Sequence, residues 1–402
     1  MEDKNTPFLR VGTAYYKKVK KPLISDDVVE TIILWKKDAI IDDHGKKYLE
    51  NIPKYDGFCN NPSHINYEET KQNFLNMYEK LNHTPTKGSI ENFKQFIHHI
   101  FQEQYDIGLD YLTILYQKPI QLLPVLCLVS RERGTGKTTF LNMLKAIFGK
   151  NMTYNKNEDF RSQFNSDWAS KLIIAVDEVL LDRREDSERI KNLSTARTFK
   201  SEAKGKDRVE VEFFGKFILC SNNENDFIQI EPGEIRYWVI KVNAIKNEDV
   251  FLLEKLKAEI PAIMHFLANR EITTQNLSRM WFHPSILKTK ALSRVINRNK
   301  SKVELELASI FNDILYDFDQ EEIKFTLTDA TALLGRSKVG NFNRTQVRDI
   351  LQKKWELSPI DNPGRYTRYS INSAGHIYDE PKSDGRYYTI NREFIDDKLL
   401  NC

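Results

Sequence analysis

The stretch Pro124–Leu144, PVLCLVSRERGTGKTTFLNML, leaves a chain few ways to fold. Pro124 to Val129 is a short apolar run that suits a buried strand. Gly134-Thr135-Gly136-Lys137-Thr138-Thr139 follows, and then Phe140, Leu144, Ile147 and Phe148 recur at helical spacing up to Gly149, a helix stop. Strand, glycine loop, lysine, hydroxyl and helix together make a phosphate cradle. The glycines let backbone N–H groups approach a triphosphate, and the helix start adds its positive dipole end. Lys137 is placed to reach the β- and γ-phosphates of ATP, and the Thr138 hydroxyl to hold Mg²⁺. A chance turn would not come with this strand and this helix. The strict pattern has glycine at position 131, where this chain has Arg131; Gly134 is the candidate to supply the flexibility, and the loop's path stays open.

Lys171-Leu-Ile-Ile-Ala-Val-Asp177-Glu178 adds a second strand, apolar enough to be buried on both faces and ending in two carboxylates. In parallel sheets ligands bind at that end. Asp177 would hold Mg²⁺ through its water shell, and Glu178 would orient and polarise the attacking water. Phe217-Ile-Leu-Cys220-Ser221 is a third strand, tipped by Asn222-Asn223; an amide there could sense the γ-phosphate, with Asn222 preferred over Asn223. Arg236 opens a fourth apolar strand running to Val242, where it is either a surface arginine or a finger reaching a neighbouring subunit's nucleotide. Between the second and third strands, Gly205 turns a strand pattern back on itself, with Lys200, Lys204 and Lys206 around the turn. That hairpin either is solvated or follows a phosphate backbone.

The order phosphate loop, Asp-Glu strand, basic hairpin, Asn-tipped strand and arginine resembles superfamily 3 helicases. In detail it is similar to the helicase part of phage and mobile-element primase–helicases, related to poxvirus-type enzymes. Ser130-x-x-x-Gly-Thr-Gly-Lys and the Ser221-Asn-Asn tip carry much of the likeness, which covers about residues 8 to 270 and is most secure over 122–242. The resemblance implies a hexameric, AAA+-related ring that hydrolyses ATP between subunits and moves along single-stranded DNA. It gives Lys137 and Thr138 the loop roles, Asp177 the metal, Glu178 the water, Asn222 the sensor and Arg236 the finger in trans. Lys204 and Lys206, with Lys200 beside them, match a channel hairpin. Many relatives carry a primase domain upstream; this chain has no room for a full one, so primer synthesis is not expected of it, and a separate primase is a possible partner.

The fold class expected is therefore α/β: a parallel-sheet motor of P-loop, AAA+-like type over 121–270, a mainly helical accessory or oligomerisation module over 1–120, a basic linker over 271–302, and a winged-helix-like domain over 303–402. In the first module, Asn66 and Glu69 suggest a capping box opening a helix to Leu81, and Phe93, Phe96, Ile97, Ile100 and Phe101 form a helical stripe. Val28 to Trp35 fits a helix or a buried strand. His98-His99 reads as core-edge rather than catalytic. Lys288, Lys290, Arg294, Arg298, Lys300 and Lys302 form either a solvated linker or a helix that touches phosphate. Three helices follow, the third carrying Arg344 and Arg348. Two Tyr-rich strands, Arg365 to Ile371 and Arg386 to Ile390, then suggest a wing. Arg344, Arg348, Arg365 and Arg368 are the candidates for duplex DNA.

The net charge of +3 is too small to argue for nucleic acid by itself. Cys59, Cys127, Cys220 and Cys402 are scattered, without zinc spacing, as expected of reduced thiols. With no signal-peptide core and no apolar run of about 20 residues, the expectation is a cytoplasmic protein without membrane contact, in a bacterial host. Two other readings stand beside the helicase: a nucleotide-switched origin-binding or regulatory DNA-binding protein, and an NTPase acting on protein partners.

Overall fold

The computed structural model describes residues 6–22, 28–160, 168–181, 184–201, 209–230, 233–337, 342–372 and 375–400. Its centre is a five-stranded sheet. The strands are β1 (Val125–Val129), β2 (Met152–Tyr154), β3 (Ile173–Val176), β4 (Lys216–Ser221) and β5 (Tyr237–Lys241), in the order β5-β1-β4-β3-β2. Every neighbouring pair is parallel. Alternate residues enter different cores: Leu126, Leu128, Ile218 and Cys220 pack into one, and Cys127, Val129, Phe217 and Leu219 into the other. A sheet covered on both faces favours apolar residues at nearly every position, which is why the central strands read as near-continuous apolar runs.

Helices α1 (Glu91–Phe101) and α2 (Tyr105–Gln117) cover one face with α3 (Lys137–Phe148), which leaves the glycine loop. The helical segment after residue 250 is split into Leu252–Ala258 and Ile260–Asn269, with Pro261 in the first turn of the second, where its missing N–H costs no bond.

Ahead of α1 the chain departs from the expected helical module. Phe8–Val11, Ala14–Pro22 and Val28–Trp35 form an antiparallel meander, joined by Lys54–Tyr55 in parallel with the first strand. The Val-Val-Glu-Thr-Ile-Ile run is β-branched, so strand wins over helix there. The helix expected from Asn66 is also absent; Thr70–Lys71 and Phe74–Asn76 are short strands. The buried Asn76 side chain explains the difference. It donates to Asn61 O (3.0 Å) and Glu68 O (2.9 Å) and accepts from Asn61 N (3.0 Å) and Tyr78 N (3.0 Å), gathering loops where a helix would have claimed the backbone. His64 lies between Tyr116 O (2.7 Å) and Tyr78 Oη (2.6 Å), and no metal-ligating cluster occurs among the described residues.

The basic linker is not a linker along its second half. Helix α4 (Lys290–Asp317) starts at Thr289, whose side chain accepts from Leu292 N, and runs on for 28 residues. Ala291, Leu292 and Val295 pack into one of the cores of the parallel sheet, while Val303, Leu307 and Phe311 pack into the C-terminal core. That last domain adds α5 (Leu327–Arg336) and α6 (Arg344–Asp349). Its hairpin pairs Gly364–Ile371 with Ile377–Gly385, not with Arg386–Ile390 as expected. Tyr388–Asn391 pairs instead with Glu322–Phe325. Pro381 and four charged residues hide the second hairpin strand in the sequence, and the register shifts beside that proline, between Tyr366 and Arg368. Among the described residues, no helix is long and apolar enough to cross a membrane.

Candidate active site

A cavity of about 500 Å³ opens at the carboxyl end of the sheet, lined by Arg133 through Thr139, Asp177, Glu178 and Asn222. The strands explain the convergence. β1 delivers the glycine loop, β3 ends at Val176 just before the two carboxylates, and β4 ends at Ser221 just before the amide. Because β4 sits between β1 and β3, its tip lies between the loop and the carboxylates.

The loop takes the backbone its glycines permit: Gly134 and Gly136 have φ of 64° and 86°. A Cβ on Gly136 would also stand 3.0 Å from Phe96 of α1. From outside, His99 Nε2 lies 3.0 Å from Thr135 O, so this histidine props the loop. Ile245 N donates to Gly134 O (3.1 Å), and Ala244 N to Glu132 Oε2 (3.2 Å).

Lys137 is buried, with Nζ 3.1 Å from Thr135 Oγ1. Desolvation lowers its pKa, while the Asp177 and Glu224 carboxylates pull it back toward its ordinary value. Thr138 Oγ1 donates to Asp177 Oδ2 at 2.9 Å. A hydroxyl and a carboxylate side by side are hard oxygen donors, and their chemistry fits Mg²⁺. Glu178 has φ of 60°, a left-handed conformation uncommon for a residue with a Cβ, and strain of this kind clusters at functional sites. Asn222 Nδ2 approaches Glu178 Oε1 at 3.5 Å. Asn223 turns away: its Oδ1 accepts from Asn225 N (3.0 Å) and Asp226 N (2.9 Å), capping the following turn.

Arg133 lines the cleft without a carboxylate partner among the described residues, and the sequence reading passed it over. Its place beside Gly134, in the turn of the loop, was the available signal.

Arg236 is not in this cleft. It precedes β5, and its backbone O accepts from Val125 N at the start of β1. Five residues at about 3.3 Å each put it ~16 Å from the loop end of the sheet. Nη1 donates to Glu234 Oε1 and Oε2, both at 2.8 Å. Lys200 stands on the hairpin strand Thr198–Ser201, opposite Glu210. Lys204 and Lys206 lie outside the described residues.

In the C-terminal domain, Arg344 and Arg348 are exposed on α6, with Arg344 Nη2 donating to Thr328 Oγ1 at 3.0 Å. Arg365 is exposed opposite Asp384. Arg368 is committed internally: Nε donates to the buried Asp329 at 2.9 Å, and Nη1 lies 3.3 Å from Glu380. Asp329 also accepts from Tyr366 Oη (2.6 Å) and caps α5 through Thr326. Burial would raise its pKa, but these hydrogen bonds outweigh it and hold the carboxyl below its ordinary value.

A family of unknown function (DUF5906) matches residues 128–236, the span of the loop, the carboxylates and the amide. A DNA primase-polymerase of Nitratiruptor phage NrS-1 is 27% identical over 208 residues, which is 49% of this chain and 29% of that protein. The chain thus spans less than a third of that relative's length. Two structures of the NrS-1 C-terminal region overlay on this fold. One has a TM-score of 0.57 at 19% identity, covering 88% of this chain and 84% of the other. The second has 0.56 at 15%, covering 96% and 95%. At these identities the likeness is one of fold, and it extends well beyond the sheet.

Proposed function

We propose that this chain is an ATP-driven DNA helicase or translocase acting in the replication of a phage or mobile element. One observation carries the reading: Lys137, the Thr138–Asp177 pair and the Glu178–Asn222 pair meet in a single cleft at the carboxyl end of a parallel sheet. The similarity to a phage DNA primase-polymerase supports a replication role.

The chemistry is phosphoryl transfer to water. The loop N–H groups and the Lys137 ammonium hold the triphosphate and take up charge on its oxygens. Mg²⁺, when bound by Thr138 and Asp177, supplies further neutralisation of the phosphates. Glu178 orients the water and accepts its proton as the water oxygen bonds to the γ-phosphorus and the bond to ADP breaks. Asn222 fixes the Glu178 carboxylate and faces the γ-phosphate. A hexamer with nucleotide between subunits, Arg236 acting in trans, and Lys200, Lys204 and Lys206 following single-stranded DNA complete the superfamily 3 reading. Within it, the C-terminal domain is winged-helix-like and contacts duplex DNA through Arg344, Arg348 and Arg365.

The test is ATP hydrolysis by the full chain with and without single-stranded DNA, followed by strand displacement. Stimulation by DNA together with ATP-dependent unwinding is the expected result. Hydrolysis indifferent to DNA, with tight binding to a duplex site instead, would favour a nucleotide-switched DNA-binding protein.

A further inference from the structure

Arg131 occupies the position where the strict phosphate-loop pattern has glycine, and the structure places a carboxylate on its N–H. Glu224 Oε1 accepts from Arg131 N at 3.1 Å. This glutamate lies two residues beyond Asn222 and is only 6% exposed. Lys241 Nζ, at the end of β5, is 3.0 Å from the same oxygen, and Arg294 Nη1, on α4, is 3.8 Å from Oε2. One buried carboxylate therefore ties together the first residue of the loop, the segment carrying Asn222, the edge strand, and the helix that leads into the C-terminal domain.

A buried carboxylate without partners is costly, so its place needs a reason. Burial would raise the Glu224 pKa, but Lys241 and the Arg131 N–H outweigh it and hold the group below its ordinary value. The later loop residues have other supports, through Glu132, Gly134 and Thr135. The first residue has Glu224. A glycine would let the loop find its path by flexibility; here a fixed acceptor sets it.

We infer that Glu224 is a positioning residue for nucleotide binding: it fixes the start of the phosphate loop against the Asn222 tip, acting through Arg131 without lining the cleft itself. The inference rests on the ATP-site reading above. It also gives the basic row of α4 a role other than touching phosphate, since Arg298 and Lys302 pair with Asp226 in the same segment, at 3.6 and 2.7 Å.

The experiment titrates a fluorescent ATP analogue into the full chain and measures KM and kcat for ATP. Glu224→Ala should raise Kd and KM about tenfold, the size of one lost charge-assisted hydrogen bond, with kcat much less affected. Glu224→Gln keeps an acceptor for Arg131 N–H and should recover affinity to within roughly threefold. An alanine variant that binds like wild type overturns the inference, and so does a glutamine variant as weak as alanine. If Glu224→Ala lowers the melting temperature below the assay range, Lys241→Met with Arg294→Met takes its place; those side chains are 42% and 57% exposed. A several-fold rise in KM is then expected, and no rise overturns the inference. Wild-type protein that binds no nucleotide refutes the ATP-site reading itself, and this inference with it.

Discussion

At the carboxyl end of the parallel sheet, Lys137, Arg133, Asp177 and Glu178 face a cavity; in the C-terminal domain, Arg368 faces Asp329 and Glu380. Both regions carry charged residues that a sequence reading marks for ligands. The fold treats them differently. In the cleft, the strands end, and among the described residues the side chains of Asp177, Glu178 and Asn222 meet only Thr138 and one another. In the C-terminal domain, basic side chains hold the structure together: Arg336 donates to Ser370 and Ile371 O, Lys354 to Glu304, and Arg392 to Asp319 and Leu315 O. A basic residue points to a ligand only where the fold has not already given it a carboxylate or a backbone carbonyl; Lys137 and Arg344 meet only threonine hydroxyls.

Arg236 is the residue most able to break that rule, because it is paired with Glu234 and yet is proposed as a finger in trans. Arg236→Ala should lower ATP turnover about a thousandfold while leaving nucleotide affinity unchanged. A fully active variant would make the Arg236–Glu234 pair structural and restore the rule. Arg368→Ala sharpens the contrast from the other side. It should cost about 2 kcal/mol of stability in denaturant unfolding, because Asp329 stays buried with fewer donors. An unchanged unfolding midpoint would free Arg368 for a ligand role. Arg344→Ala with Arg348→Ala should leave unfolding unaltered but weaken duplex DNA binding about tenfold and flatten its salt dependence by about two counterions. Equal affinity across a salt series would remove α6 from the DNA surface.

Lys216 is the extreme case of internal use, at the start of β4, far from the cleft. It is fully enclosed and donates to Pro119 O and Phe214 O. Burial pushes its ammonium down to about 7 from 10.5. Between those values the unfolded chain holds the proton and the folded chain does not, so stability should rise with pH across that window. The slope is on the order of 1 kcal/mol per pH unit at most. Melting of Lys216→Met beside wild type should show the gap shifting toward wild type as pH climbs above about 7; a constant gap would contradict it.

The same contrast explains what was legible in the sequence. Four of the five sheet strands stand out because burial on both faces forces continuous apolar runs, and the cleft residues are local to their ends. Met152–Tyr154 was missed, being three residues at the sheet edge with Tyr154 exposed. The N-terminal sheet was missed because Ala14–Pro22 carries Tyr and Lys on both faces, and the short strands around Phe74–Asn76 because the Asn76 amide reaches carbonyls eight and fifteen positions away. Asp329 lies 39 residues from Arg368, and Arg131 lies 93 from Glu224, separations that no local pattern encodes. Charged side chains reveal their type in a sequence, but not their acceptors.

The central claim is that the cleft binds ATP through Lys137. Equilibrium titration of a fluorescent ATP analogue with Mg²⁺ into wild type and Lys137→Ala tests it most directly. Saturable binding by wild type, a loss of about a hundredfold or more in the variant, and no hydrolysis by the variant are expected. Equal binding and turnover by both would contradict it.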